Sequence, residues 1–458
     1  MALQERNLLG NVVKAYDTAG LAETEAYDFQ YLPVKTVRRL ARDYKEMVDW
    51  TEDRLESALE QERFTSFMKV DALGRITEQT LPDGSVAVSA FNEGGLLTSQ
   101  TLSFPGRDET VIPLRKVIYN AKRQREYVSY GNGVSIRYSF DPLTERIDRI
   151  YSTRKDGEVL QDLNYTYDAV GRVVRILDKS IPTTFYAGQR VDGESRYTYD
   201  SLGRLVSATG RENGAAMKMA ATDNYSDAAY CHTMQKGDSM AMHNYMQHFS
   251  YDAAGNILQI RHTAGSGSWT RNFAYGERSN RLLYTELGDS KFRYEYHERH
   301  GFITAMPHLS GIGWDAFERM VSSSRQERSD GGVPETTYYQ YDGQGTRIRK
   351  ITECQTAPGA APQVKSQRIY LGSYEKYLCD WGANRGLVRD SVSILDGGHR
   401  YVMVERRNEV DDGTARELSL PTPMPARQRS GLRDSGLLLR QTGWQWRCGS
   451  WRVHGDTI

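Results

Sequence analysis

The chain has 458 residues, with Lys plus Arg equal to Asp plus Glu at 59 each. A formal net charge of zero removes the electrostatic reason to expect nucleic acid or an anionic membrane as a partner. Apolar residues make up 39%, below the usual globular share of about 45–50%, and no stretch reaches the roughly 18 apolar residues of a membrane span.

Two features of composition stand out: 29 Tyr against 12 Phe, and 41 Gly against 13 Pro. Together they suggest many strands joined by tight turns. The four cysteines, Cys231, Cys354, Cys379 and Cys448, form no CxxC pair. Neither a disulfide framework nor a zinc site is indicated. The opening "MALQERNLLG" lacks the apolar core of an export signal.

Along the chain, "YDTAG" (Tyr16 to Gly20) and "YDFQ" (Tyr27 to Gln30) come first. Residues 34–63 differ: they are highly charged and poor in Gly, and Val37, Leu40, Tyr44 and Val48 fall at helical spacing. That spacing predicts a short helical insertion. From residue 64 a phrase recurs, Tyr-Asp-x-x-Gly-polar-apolar. Worn copies begin at Val70, Phe91, Tyr119 and Phe140, in steps of 21, 28 and 21 residues, with 27 more to Tyr167. The full form follows at Tyr167-Asp168 with Gly171, Tyr199-Asp200 with Gly203, Tyr251-Asp252 with Gly255, and Tyr341-Asp342 with Gly345. "YHERHGFITA" from Tyr296 is another worn copy.

Each copy reads as strand, turn, strand. The aromatic ends a strand; Asp accepts a backbone N–H two residues on; Gly takes a positive φ at low cost. The apolar residue two after Gly opens the next strand. The incoming strands alternate, as in Tyr165/Tyr167 and Tyr197/Tyr199, which marks a half-buried strand. One hairpin cannot bury its apolar face alone, whereas stacked neighbours can. The twelve residues Tyr167, Asp168, Gly171, Tyr199, Asp200, Gly203, Tyr251, Asp252, Gly255, Tyr341, Asp342 and Gly345 are therefore read as structural turns rather than ligand contacts.

Residues 211–246 read as an insertion, a surface loop or short helix, with the array resuming at 247. The array reaches about 412. Residues 413–458 hold seven Arg, no Lys, no Tyr and three Trp, without amphipathic period. They are read as a disordered or out-of-frame tail, leaving the strand His399 to Arg407 without a neighbour.

Other chemistry is thin. Cys231-His232 with His243 and His248 has spacings of 11 and 5, which fit no zinc pattern. His308 after Pro307 reads as a packed loop residue. Gly131 to Gly133 is a hairpin turn signal, and Gly265 to Ser268 lacks the Lys-Ser/Thr of a phosphate loop. Asn164 and Asn224 match a glycosylation acceptor that has no export signal to give it meaning. No catalytic residue, cofactor site or metal site is assigned.

The repeats resemble the RHS/YD family. "ERNLLGNVVKAYDTAGLAETEAYDF", "YGNGVSIRYSFDPLT", "LQDLNYTYDAVGRVVRI", "YTYDSLGRLVSATGRE", "MPHLSGIGWD" and "RIYLGSYEKY" narrow this to the C components of bacterial insecticidal toxin complexes. The resemblance covers roughly residues 5–405. It implies a mainly β, antiparallel repeat strip forming part of a hollow cocoon-like shell, which encloses a polypeptide toxin cargo. It also implies a B-type partner or the rest of the shell, and secretion within the complex, the chain being cytoplasmic until release; this chain itself is read as non-enzymatic. The family's closing region carries cleavage aspartates and a DPxG-like signature. Here the only Asp-Pro is Asp141-Pro142, inside an early repeat, so the chain is expected to be truncated and to lack self-cleavage. The competing readings are a surface recognition or adhesion module with carbohydrate binding, and a remnant without function.

Overall fold

A computed structural model describes residues 2–51, 54–108, 110–213, 241–325, 327–396 and 399–407. These residues form antiparallel strands joined by short turns, with one four-residue helix at Ala2–Glu5. They fall into two compact units. One combines residues up to 133 with 311–407; the other runs from Val134 to Ser310.

In the second unit the strands Ser135–Phe140, Ile147–Thr153, Val159–Tyr167 and Val173–Asp178 pair in succession. Val173–Asp178 then pairs with Glu194–Tyr199, which continues through Leu205–Asn213, Met242–Tyr251, Ile257–Thr263, Trp269–Tyr275 and Leu282–Leu287. Chain order and spatial order coincide, because each hairpin needs only the hairpin before it. In the first unit, Lys14–Asp17, Gly20–Tyr27, Pro33–Leu40 and Phe64–Val70 open a similar run. A separate eight-stranded sheet extends from Gly311–Trp314 to His399–Arg407. Among the described residues, the strand partner of His399–Arg407 is Leu387–Asp396.

The repeat phrase carries a β-bulge at a constant place. Thr166 pairs with Arg175 but Tyr167 with Val173; Thr198 pairs with Ser207 but Tyr199 with Leu205; Ser250 pairs with Gln259 but Tyr251 with Ile257. The extra residue lets the aromatic sit opposite the apolar residue that follows Gly and tightens the local twist.

The helical insertion expected at 34–63 is not there. Residues Pro33–Leu40 are a strand between Gly20–Tyr27 and Phe64–Val70. Val37 and Leu40 are both buried, and an odd spacing puts them on opposite faces of a strand. A strand covered on both sides thus mimics a helical i, i+3 pattern. Arg38 is tolerated inside because its guanidinium pairs with Asp17. Among the described residues of 41–63 no helix forms; a single α-type turn closes where the Ala58 N–H donates to the Arg54 carbonyl at 2.9 Å.

The insertion read at 211–246 is narrower than that span. Arg211, Glu212 and Asn213 pair with Asn244, His243 and Met242, so the strands run into it from both ends. Residues 214–240, with Cys231, His232 and Asn224, lie outside the described residues, as does the tail from 413.

Candidate functional site

The repeat turns share one geometry. The Asp168 N–H donates to the Arg172 carbonyl at 2.9 Å, and the Gly171 N–H donates back to Asp168 at 3.0 Å. Asp168 Oδ1 accepts the N–H groups of Val170 and Arg172 at 3.1 and 2.8 Å. Asp200 does the same with Leu202 and Arg204, both at 2.9 Å. Asp342 accepts from Gln344 and Thr346 at 2.9 and 2.8 Å, and Asp252 accepts from Asn256 at 2.8 Å. Gly171, Gly203, Gly255 and Gly345 all hold a φ between 80° and 94°, which a Cβ would strain. Tyr167, Tyr199, Tyr251 and Tyr341 are the last residues of their strands.

Side chains then tie neighbouring hairpins together, the tyrosine in all four copies and an arginine in those of Asp168 and Asp200. The Tyr199 hydroxyl donates to the Val173 carbonyl of the preceding repeat at 2.8 Å. Tyr251 reaches Leu205, Tyr167 reaches Ile147 and Tyr341 reaches Met320, each at 2.7 Å. In the other direction runs the arginine after Gly. Arg172 bonds its own Asp168 at 2.6 Å, donates to the Asp200 carbonyl of the next turn at 3.3 Å, and lies 4.9 Å from the centre of the Tyr199 ring. Arg204 repeats this with Asp200, Asp252 and Tyr251, and Arg319, which follows Glu318 rather than Gly, with Asp315, Asp342 and Tyr341. Sequence reading registered this position only as polar. The signal was the repeated Gly-Arg, and its meaning needed the neighbouring hairpin.

The electrostatics follow. For Asp200 the Arg204 backbone N–H, then its guanidinium, hold the carboxyl below the usual range. For Asp168 desolvation opposes ionisation and the Arg172 contacts outweigh it, so that carboxyl is lowered too. For Asp252 the Asn256 side-chain amide does this work. Burial raises the phenols of Tyr167, Tyr199, Tyr251 and Tyr341.

The first unit contains a second polar construction that the sequence did not suggest. The connection after Leu40 lies against the eight-stranded sheet. The buried Arg349 donates to the Ala41 carbonyl at 2.8 Å, to Glu60 at 2.7 Å and through Nε to Gln367 at 3.1 Å. Burial lowers the Arg349 pKa. Glu353, 2% exposed, accepts from the Tyr44 hydroxyl at 2.7 Å and pairs with Lys45 at 2.8 Å. Gln340 donates to the carbonyls of Thr18 and Asp43 at 2.9 and 3.0 Å, and the Thr18 hydroxyl donates to the Tyr341 carbonyl at 2.7 Å.

The remaining sequence candidates separate. His243 and His248 lie on the strand Met242–Tyr251, and His243 meets Tyr186 edge-on at 4.7 Å. His308 lies within the Met306–Leu309 bridge. Asp141 caps a repeat turn one residue longer than the four above, its N–H donating to the Arg146 carbonyl and its Oδ1 accepting from Leu143 and Thr144. In the second unit a 460 Å³ cavity is lined by Arg190, Asp192, Glu194, Arg196 and Tyr245, among others. Its charges are paired internally, Arg190 with Asp192 and Arg196 with Glu194. Among the described residues no three His, Cys, Asp or Glu side chains gather to hold a metal. No helix there is long and apolar enough to cross a membrane.

The serial hairpins, constant bulge and clamped turns define an antiparallel YD-repeat strip. No protein-family model matches the chain. Toxin subunit YenC1 of Yersinia entomophaga is 32% identical over 356 residues, 75% of this chain and 35% of that protein. Toxin subunit YenC2 of the same organism is 31% identical over 415 residues, 87% of this chain and 41% of that protein. The chain therefore spans less than half the length of these curated relatives. Among solved structures, the TcdB2-TccC3-Cdc42 crystal structure matches with TM-score 0.77 and 26% identity, over 92% of this chain and 20% of that one. A Photorhabdus luminescens Tc holotoxin pore gives 0.75 and 25%, over 91% and 19%. The chain is an RHS/YD-repeat protein that resembles the repeat core of insecticidal toxin complex C components.

Proposed function

We propose that this chain is a non-enzymatic stretch of the shell of a toxin-complex protein, and that the shell holds a polypeptide toxin cargo by enclosing it. The observation that carries the reading is the clamp from each turn to the next, Arg172 to Asp200 and Tyr199 to Val173. Such a device stiffens a continuous wall without preparing a reactive group. The similarity to toxin subunits over 75% and 87% of the chain supports the same role. On this reading the partners are a B-type toxin-complex subunit and the remaining repeat rows, and the assembled complex is secreted.

The test is co-expression with a B-type subunit and a reporter polypeptide fused downstream of the repeats. The reporter should co-purify and resist added protease until the shell is denatured. A reporter digested at the same rate with and without the repeat chain would refute enclosure. Incubation of the purified chain alone should yield no discrete fragment. A fragment that disappears on changing a single aspartate would show self-cleavage and end the non-enzymatic reading.

A further inference from the structure

In the second unit the worn repeat at Tyr296 carries His297 where the full copies carry Asp. The turn keeps its backbone bonds. The His297 N–H donates to the Phe302 carbonyl at 2.7 Å, and the Gly301 N–H donates back to the His297 carbonyl at 3.0 Å. The Asp141 turn is built alike: the Asp141 N–H donates to the Arg146 carbonyl and the Glu145 N–H donates back, both at 2.9 Å. The cap corresponds as well. The His300 N–H donates to His297 Nδ1 at 3.3 Å, as the Thr144 N–H donates to Asp141 Oδ1 at 2.7 Å.

The two caps differ in one property. A carboxylate accepts hydrogen bonds down to about pH 4, whereas imidazole nitrogen accepts only while unprotonated, and an ordinary imidazole gains its second proton at about pH 6.5. A proton on Nδ1 turns the acceptor into a donor that faces another N–H. The surroundings disfavour the added charge. The His300 ring lies 5.0 Å from that of His297. Arg281, from the preceding turn, lies so near Gly301 that a Cβ there would fall 2.8 Å from its Nη2, and its guanidinium is 5.7 Å from the centre of the Tyr296 ring. The other charged residues are Glu295, Glu298 and Arg299 on the same hairpin and Glu277 and Arg278 in the preceding turn. The hairpin itself is small. Glu295–Tyr296 pairs with Ile303–Ala305, and the Tyr296 hydroxyl ties it to the Leu282 carbonyl at 2.8 Å.

We infer that His297 is an acid-released cap: its protonation breaks the His300 bond and loosens the turn at 297–302 in mildly acidic solution, while the Asp-capped turns keep their bonds. Asp200 represents those turns. The Arg204 backbone N–H, then its guanidinium, hold its carboxyl below the usual range, so it stays ionised throughout the range in which histidine titrates. The sign follows from which form accepts. Neutral His297 caps the turn, so the cap is complete at alkaline pH and is lost as pH falls. The inference goes beyond the shell reading and does not depend on it. It gives the repeat strip a turn that responds to acidification.

The test is rapid-mixing amide hydrogen exchange on the full chain at about pH 8 and pH 5, on either side of the histidine range. Rates are expressed as protection relative to an unstructured peptide at the same pH. Protection of the His300 and Gly301 amides should fall about three- to tenfold from the higher pH to the lower, the range of one lost hydrogen bond. The Arg204 amide, bonded to Asp200 Oδ1 at 2.9 Å, should keep its protection. His297→Asp should abolish the pH dependence by restoring a carboxylate cap, and His300→Gln should retain it. Equal protection of His300 and Gly301 at the two pH values overturns the inference. So does a parallel fall at Arg204, which would mean general loosening in acid. A pH dependence that survives His297→Asp, or that vanishes in His300→Gln, overturns it as well.

Discussion

Replacing Arg349 by Met should release the connection at 41–63 from the eight-stranded sheet. The guanidinium is nearly inaccessible and bonds the Ala41 carbonyl, Glu60 and Gln367. Methionine fills a similar volume but leaves these acceptors without their donor. Breaking a buried ion pair from one side costs about 3–5 kcal/mol, or roughly 140- to 3,700-fold in the opening equilibrium at 1.4 kcal/mol per decade. The amides that report opening are those of Arg42, bonded to the Ala58 carbonyl at 2.9 Å, and Glu60, bonded to Leu40 at 2.8 Å. Their hydrogen-exchange protection should fall by two to three orders of magnitude in Arg349→Met. Arg349→Lys should lie between, since it keeps the charge but not the fork of donors. Amides in the second unit, such as Arg204, bonded to Asp200 Oδ1, should not change. Equal protection of Arg42 and Glu60 in wild type and Arg349→Met would show that the connection is held by something other than this arginine.

Other outcomes follow from the turns and the buried phenols. Gly345→Val should cost about 1–2 kcal/mol of stability by denaturant melts, because φ is 83° and no atom lies within 4 Å of a new Cβ; Gly345→Asn should cost less. Gly20→Ala should be worse than either, since its Cβ would fall 2.2 Å from the Arg39 carbonyl oxygen. Tyr251→Phe should lose about 0.5–1.5 kcal/mol with the Leu205 bond, and a neutral result would remove the hydroxyl from the account of inter-repeat stability. Burial pushes the Tyr165 phenol from 10.0 up to about 12, so the unfolded chain gives up this proton first. Its contribution is complete below pH 10 and is lost as pH rises toward 12. Tyr165→Phe should therefore flatten the alkaline limb of the stability–pH curve, and an unchanged limb would refute the assignment.

The repeat turns were legible in sequence because all their requirements are local. Asp capping, the positive φ of Gly and the alternation of Tyr165 with Tyr167 each act within a few residues, and any copy of the phrase reproduces them. That was enough for the fold class and the strand-ending tyrosines. The clamps were half visible: Arg172 could be counted, but its second partner, the Asp200 carbonyl, lies 28 residues away and is brought close only by strand pairing. The stretch at 33–40 misled because burial on both faces of a strand and burial on one face of a helix place apolar residues alike, and only the flanking strands Gly20–Tyr27 and Phe64–Val70 decide between them. The Arg349 and Glu353 contacts had no signature at all. They join residues about 300 positions apart, and a buried charge reads in sequence like any surface charge until the packing that desolvates it is known.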